Sequence, residues 1–138
     1  MEFSYTKKLG YGRNNRFDPL IPIKVIGQDE FEVYCLVDSG SPCNLFSTEI
    51  AEAAGIDLTG ATLVGEVHAG GKKQPGYMLD VAMEFLGKQW TASVVFYEHN
   101  EDNNLLGGES FFQYFDVHFR YYERKFDILP VPDTQWQE

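Results

Sequence analysis

The tripeptide Asp38-Ser39-Gly40 directly follows an apolar segment, and this arrangement constrains the chain more than any other feature. Residues 31–37 (FEVYCLV) predict a strand, which would present the carboxylate of Asp38 from a rigid sheet. The Ser39 hydroxyl can hydrogen-bond across a local turn, and Gly40 leaves room beside the carboxylate. The segment therefore predicts an acid that is held in a fixed orientation where a substrate can approach it.

An acid that activates water needs a second acid close enough to couple with it. The sequence contains one tripeptide of this kind, so the economical source of the second acid is Asp38 of another copy, related by a two-fold axis. Two carboxylates about 4 Å apart repel by roughly 4 kcal/mol at an effective dielectric constant near 20. Such a pair shares one proton over a wide pH range. The sequence thus predicts a homodimer in which Asp38 is catalytic.

The rest of the chain predicts mainly β structure. Strands are predicted at residues 20–26, 31–37, 81–85, 90–97, 116–121 and 125–129. Residues 47–55 predict a short helix, and a helical turn is expected at residues 111–115. Residues 61–81 predict a long hairpin with a polar, glycine-rich tip at residues 70–76. The expected fold class is mainly β with one or two short helices.

Two segments resemble a known family. Residues 33–56, which contain CLVDSGSPCNLFS and then an alanine-rich helical segment, look like the catalytic segment of retropepsin-like aspartic peptidases. Residues 104–107 (NLLG) are similar to the family's apolar-apolar-glycine element, and the segments after them are similar to its helix and final strands. The resemblance spans residues 20–129, with the motifs in the family's order. It implies a retropepsin-like acid-protease half-barrel with a flap hairpin, and aspartic endopeptidase activity on peptide or protein substrates.

The resemblance also implies roles for further residues. The active-site support would comprise the rest of the tripeptide and the apolar-apolar-glycine element packed under it, namely Ser39, Gly40, Leu105, Leu106 and Gly107. The glycine-rich hairpin would close over the substrate as a flap, with contacts from His68, Ala69, Gly70 and Gly71.

The sequence departs from the retroviral members at several positions. They usually carry Thr where Ser39 stands, a second acid where Pro42 stands, and Arg after the apolar-apolar-glycine element, where this chain has Gly108-Glu109. The cleavage specificity of those members therefore does not carry over. The proline-bearing tail is also poorly suited to interleaving terminal strands, so the dimer is expected to form differently.

Composition limits the partners. A formal net charge of −10 provides no basic stripe, which argues against nucleic acid and anionic membranes as partners. Cys35 and Cys43 lie close to the tripeptide and do not form a disulfide framework, so a reducing compartment, the cytoplasm, is expected. Residues 1–10 are polar and predict neither a signal peptide nor a membrane anchor.

The expected organisation is a flexible arm at residues 1–16, a peptidase domain at residues 17–130 and a tail at residues 131–138. The chain's histidines, His68, His99 and His118, lack metal-ligand spacing, so no metal or other cofactor is expected.

Two functions remain open at this point. In the first, a homodimer cleaves an extended peptide. In the second, the same fold is a catalytically inactive peptide-binding or scaffolding module, in which Asp38 is only a turn residue that caps its own backbone. A stable monomer that is insensitive to Asp38→Asn would favour the second function.

Overall fold

The computed structural model describes residues 1–9, 15–69, 72–98, 104–132 and 136. Its regular elements are β1 (Glu2–Ser4), β2 (Thr6–Leu9), β3 (Asn15–Asp18), β4 (Leu20–Ile26), β5 (Glu30–Val37), β6 (Asn44–Ser47), α1 (Thr48–Ala53), β7 (Thr62–Ala69), β8 (Lys72–Phe85), β9 (Lys88–Tyr97), β10 (Asn104–Leu106), β11 (Phe115–Arg120) and β12 (Lys125–Pro130). Short turns lie at Gly108–Phe112 and Tyr121–Glu123. The prediction of a mainly β fold is confirmed.

The largest sheet has the strand order β4-β5-β10-β6-β9-β8-β7, and β4 also pairs with β8. This last pairing closes six of the strands into a barrel. The inward side chains of β4, Ile21, Ile23 and Val25, are fully buried and alternate with more exposed ones, as a strand with one face on the core requires. The prediction that residues 20–26 and 31–37 form a hairpin is confirmed.

Strand β10 connects the two halves of the barrel. It runs parallel to β5, with Leu106 beside Val37, and antiparallel to β6, with Leu105 beside Leu45. A strand inserted between β5 and β6 lies next to both ends of the loop that joins them. The tripeptide belongs to that loop, so the chain around residue 107 is brought directly to it.

The long hairpin differs in detail from its prediction. Strand β8 is continuous from Lys72 to Phe85, whereas the sequence predicted that residues 72–76 form part of the tip and that a new hairpin begins at residue 81. The turn from β8 to β9 does occur where expected, because Leu86 and Gly87 both have positive φ, at 51° and 74°, which is typical of tight hairpin turns.

The predicted helix at residues 47–55 is confirmed as α1 and its caps. The Ser47 side chain accepts a hydrogen bond from the Glu49 N–H at 3.2 Å, and Gly55 ends the helix with a φ of 67°. The helical turn expected at residues 111–115 lies earlier, at Gly108–Phe112, and is irregular because Ser110 has a φ of 69°. No helix in the described residues is long and apolar enough to cross a membrane.

The N-terminal residues correct the prediction of a flexible arm. Strand β1 pairs antiparallel with β12, and β12 pairs with β11, so the first residues join a three-stranded sheet with the C-terminal hairpin. Phe3 stacks on Phe126 with ring centroids 5.5 Å apart. Strands β2 and β3 form a separate two-stranded sheet. The boundaries of the peptidase domain at residues 17 and 130 stay a prediction.

The core contains a cluster of aromatic rings at the end of the barrel near β11. Phe111 stacks on Phe115 at 5.0 Å, and Trp90 meets Phe115 edge-on at 5.2 Å. Trp136, from the segment expected to be a tail without regular structure, contacts Phe115 at 5.1 Å. The Trp90 indole donates to the Ser110 carbonyl at 2.8 Å, so the irregular turn at Gly108–Phe112 satisfies the buried polar atom of this cluster.

Candidate active site

Asp38 lies immediately after β5, where the strand leaves the barrel. Its backbone N–H donates to the carbonyl of Leu106 at 3.0 Å, which extends the ladder between β5 and β10 by one step. The backbone of Asp38 is therefore part of the sheet, whereas the side chain is half-buried at the barrel surface. The sheet therefore fixes the backbone position of Asp38, while the carboxylate still reaches solvent.

The next two residues orient the carboxylate. The Gly40 N–H donates to Asp38 Oδ1 at 2.9 Å, and no described residue donates to the other oxygen, Oδ2. A Cβ at position 40 would lie 3.2 Å from Oδ1, so glycine keeps this approach open. Ser39 and Gly40 are themselves exposed. One carboxylate oxygen is thus held by the turn, and the other has no donor among the described residues.

Gly107 supports this loop from beneath. A Cβ on Gly107 would lie 2.3 Å from the carbonyl oxygen of Cys43 and 2.6 Å from that of Ser41. Real side chains do not come so close, so only glycine allows the two segments to touch at this point. The N–H groups of Gly108 and Glu109 then donate to the carbonyls of Ser41 and Pro42, each at 2.9 Å.

The loop is also braced internally. The Ser41 N–H donates to the Asp38 carbonyl at 3.1 Å, and the Ser41 hydroxyl donates to the Cys43 carbonyl at 2.7 Å. Ser41 is buried. The backbone from residue 38 to residue 43 therefore has hydrogen-bond partners both within the loop and from the segment below it.

Two buried asparagines complete the support, and the sequence reasoning missed both. The Asn44 side chain accepts from the Gly107 N–H at 2.9 Å and donates to the Ser93 carbonyl at 3.2 Å. The Asn104 side chain accepts from the Ser47 N–H at 2.9 Å. Each asparagine opens a short strand, β6 or β10, and an asparagine at the start of an otherwise apolar segment is the signal that could have identified them.

The structure brings the predicted support residues together. Leu106 is fully buried beside the loop, Gly107 lies under it, and Leu105 is half-buried on β10, where it pairs with Leu36 of β5 and Leu45 of β6. Their roles in catalysis stay predictions, because packing alone does not test them.

The predicted flap residues are only partly described. Gly70 and Gly71 lie outside the described residues, and so do the side chains of His68 and Ala69. The backbone of His68 and Ala69 lies in β7, opposite Lys73 and Lys72 of β8. A two-stranded arm therefore leads to the expected flap tip, and the function of that tip stays a prediction.

The ionisable side chains of the loop are those of Asp38 and Cys43. Burial raises the pKa of the Cys43 thiol, which disfavours the nucleophilic thiolate. Within the described residues, no three His, Cys, Asp or Glu side chains are grouped so as to hold a metal ion. The chemistry that this loop offers is therefore that of the Asp38 carboxylate.

Solved structures are similar to this chain over most of its length. A retropepsin-like aspartic protease from Rickettsia conorii matches with a TM-score of 0.63 and 17% sequence identity, over 94% of this chain and 98% of that chain. This chain has a retropepsin-like fold.

Two further structures share the retropepsin-like fold. The retroviral protease-like domain of Ddi1 from Leishmania major has a TM-score of 0.57 and 15% identity, over 84% of this chain and 97% of that chain. The EIAV protease in complex with the inhibitor HBY-793 has a TM-score of 0.54 and 11% identity, over 65% and 81%. No protein-family model matches the sequence, and neither does the sequence of any curated protein. The fold prediction is confirmed by structure where sequence comparison alone finds no relative.

Proposed function

We propose that the chain is an aspartic endopeptidase that acts as a homodimer. In this proposal two copies place their Asp38 carboxylates on either side of one water molecule, and a peptide substrate lies across the pair. The similar solved structures are proteases or protease-like domains, which supports a protease-type function.

The observation that carries the proposal is the way in which Asp38 is held. Its carboxylate is oriented by the Gly40 N–H at 2.9 Å, and the loop that bears it is supported by Gly107 and by the buried amide of Asn44. A solvated turn residue needs no buried support of this kind. Catalytic groups do need it, because small displacements from the productive geometry are costly to the rate.

The chemistry requires one ionised and one protonated carboxylate. The ionised Asp38 takes a proton from the water, whose oxygen attacks the carbonyl carbon of the peptide, while the protonated Asp38 donates its proton to the carbonyl oxygen. The resulting tetrahedral intermediate collapses as the C–N bond breaks and the leaving nitrogen accepts a proton from the pair. Repulsion between two close carboxylates keeps one of them protonated.

We infer that the substrate is an extended peptide or protein segment, bound in part as an added strand. The arm formed by β7 and β8 supports this, because it extends from the barrel as a long hairpin, and exposed strand edges bind extended peptides through backbone hydrogen bonds. In this proposal His68, Ala69, Gly70 and Gly71 cover the substrate. The cytoplasm is the proposed compartment, since Cys35 and Cys43 are both free thiols.

The test is cleavage of an unbiased peptide library between pH 4 and pH 8, at several protein concentrations, by the wild type and by Asp38→Asn. Asp80→Asn, which changes an exposed aspartate on β8, is the matched control. We expect Asp38→Asn to lose at least about 100-fold in cleavage rate, as the loss of an acid–base group does, and to dimerise as well as or better than the wild type. The control variant should cleave normally.

Cleavage by the wild type should increase in specific activity as dimers form. Unchanged cleavage by Asp38→Asn would refute the assignment. A folded dimer that cleaves no member of the library would instead favour the peptide-binding module.

A further inference from the structure

Lysine and arginine are missing from the segments that build the candidate active site. Residues 25–71 contain the Asp38 loop, and residues 89–119 contain β10 and the turn after it, but neither range has a lysine or an arginine. Two cations do lie opposite each other on the sheet formed by β2 and β3, namely Lys8 and Arg16. Their use to the site depends on where that sheet meets the barrel.

The sheet of β2 and β3 joins the barrel beside Asp38. Asp18, the last residue of β3, is followed by Pro19, whose carbonyl accepts a hydrogen bond from the Val37 N–H at 2.9 Å. Strands β4 and β5 continue in antiparallel register from this bond. The preceding step of the same register brings Asp18 to the end of β5 that carries Asp38. The sheet of β2 and β3 therefore borders the candidate active site.

Asp18 holds the two cations in place. Its carboxylate oxygen Oδ2 lies 3.1 Å from Arg16 Nε and 3.7 Å from Lys8 Nζ. The residue is buried, with 7% of its surface exposed, and a buried carboxylate requires such partners. The three side chains together carry one net positive charge, so the cluster as a whole attracts anions.

Arg16 presents the outer part of its guanidinium to solvent. Its side chain is 51% exposed, its Nε donates to Asp18 at 3.1 Å, and no described residue accepts a hydrogen bond from its two terminal nitrogens. These two nitrogens match the two oxygens of a carboxylate, which a guanidinium binds through paired hydrogen bonds. A guanidinium that Asp18 already positions loses little side-chain freedom when it binds a second carboxylate.

We propose that Arg16 binds an acidic side chain of the peptide substrate, so that the enzyme prefers peptides with Asp or Glu near the scissile bond. The proposal rests on the proposed function, because it names the substrates of that same site. Arg16 lies two residues from Asp18, about 7 Å along a strand, and each residue of an extended peptide also spans about 3.3 Å. The acidic residue should therefore lie roughly two to four residues from the cleaved bond.

The acidity of the whole chain does not oppose this preference. The formal net charge is −10, but at physiological ionic strength charges farther away than about 8 Å are largely screened. A substrate carboxylate in contact with Arg16 is therefore governed by the nearest charges. The same screening makes the preference sensitive to salt, because Arg16 is itself half exposed.

The first test compares matched peptides on the wild type. Starting from a peptide that the library identifies as cleaved, Glu or Gln is placed in turn at the positions two to four residues from the scissile bond, on either side. At one or more of these positions the Glu peptide should have a kcat/KM about 5- to 10-fold higher than that of the Gln peptide. The difference should shrink at 1 M salt.

The second test changes the cation. Arg16→Gln should abolish the difference between the Glu and Gln peptides, and Arg16→Glu should instead favour Lys over Gln at the same position. Lys7→Gln is the matched control, because Lys7 lies opposite Phe17 on the same sheet and points to the other face. It removes the same charge and should keep the preference for Glu. Each result is a ratio of two peptides on one protein, so a smaller folded fraction does not alter it.

The outcomes separate the preference from the enzyme. The proposal is overturned if the wild type cleaves Glu and Gln peptides equally at every position, if Arg16→Gln keeps the preference, or if Lys7→Gln loses it as well. Cleavage that depends on Asp38 in any of these cases would leave the proposed function standing.

If the wild type cleaves no peptide, the same comparison is made for binding to an immobilised array of paired Glu and Gln peptides. Tighter binding of the Glu peptides that Arg16→Gln abolishes would support the role of Arg16 and refute the function. Equal binding of both kinds of peptide would overturn the two proposals together.

Discussion

The loop around Asp38 and the terminal sheet both join residues that are far apart in the chain, but they do so with different chemistry. In the loop, a neutral and fully buried side chain joins the distant residues, since Asn44 connects residues 107 and 93. In the sheet, charged side chains at the surface join them, since Arg120 contacts Glu2, Glu123 and Asp127. A buried bond is protected from salt and costly to remove, whereas exposed ion pairs are screened and individually weak. The site is thus held by the more robust of the two arrangements.

The largest expected effect is that of Gly107→Ala, which tests whether the loop tolerates any displacement. The new Cβ would lie 2.3 Å from the Cys43 carbonyl oxygen, so the backbone of the loop or of residue 107 must move. We expect the free energy of unfolding to fall by about 3 kcal/mol or more. Chemical denaturation measures this change.

Gly108→Ala is the control for that substitution. A Cβ at position 108 would meet its nearest neighbours at 3.8 Å and 3.9 Å, which is ordinary contact, so this variant should be close to the wild type in stability. Equal stability of the two variants would contradict the close packing described for Gly107.

A smaller effect is expected for Asn44→Ala, which removes the buried amide and leaves its backbone partners in place. The Gly107 N–H and the Ser93 carbonyl would each lose a partner, so the free energy of unfolding should fall by about 2 kcal/mol. The loss should be nearly the same at low salt and at 1 M salt. Gln89→Ala, at an exposed position on β9, should change stability little, and a comparable loss there would show that Asn44 is not special.

The smallest effect is expected for Glu2→Gln, which tests the surface side of the comparison. A hydrogen bond from Arg120, assisted by the charge of Lys125, lowers the pKa of Glu2 below its ordinary value of 4.5. The carboxylate therefore contributes stability above pH 4.5, and this contribution is lost as the pH falls through the lowered pKa. The difference in melting temperature between the wild type and Glu2→Gln should be present at pH 7, and should vanish in acid and shrink at 1 M salt.

Glu32→Gln, at an exposed position on β5, is the control for the pH series. A difference for Glu2→Gln that persists unchanged in acid, or one equal to that for Glu32→Gln, would mean that the ion pairs of Arg120 contribute nothing to the terminal sheet.

The local pattern of the sequence predicts the barrel well. Alternating burial along residues 20–26 and the glycine that ends α1, Gly55, are local signals, and both hold. The tripeptide and the NLLG segment could also be related to each other through the family resemblance. Hydrophobic periodicity and turn chemistry are determined within a few residues, so these elements can be predicted from the local sequence.

The missed features depend on partners far along the chain. Phe3 lies in a segment too short to predict a strand, and only its contact with Phe126 makes that segment part of a sheet. Asn44 looks like a loop residue because its partners, Gly107 and Ser93, are dozens of residues away. No window of local sequence contains such pairings, so the support of the site had to come from the structure.

The pairing of β1 with β12 has a consequence for the order in which the chain is completed during synthesis. The backbone nitrogen of Met1 donates to the carbonyl of Ile128 at 2.8 Å, across 127 positions. At roughly 5–20 residues per second, β1 waits about 6 to 25 s for its partner to be made. Until then the ring of Phe3 cannot meet that of Phe126, so the terminal sheet assembles late in the synthesis of the chain.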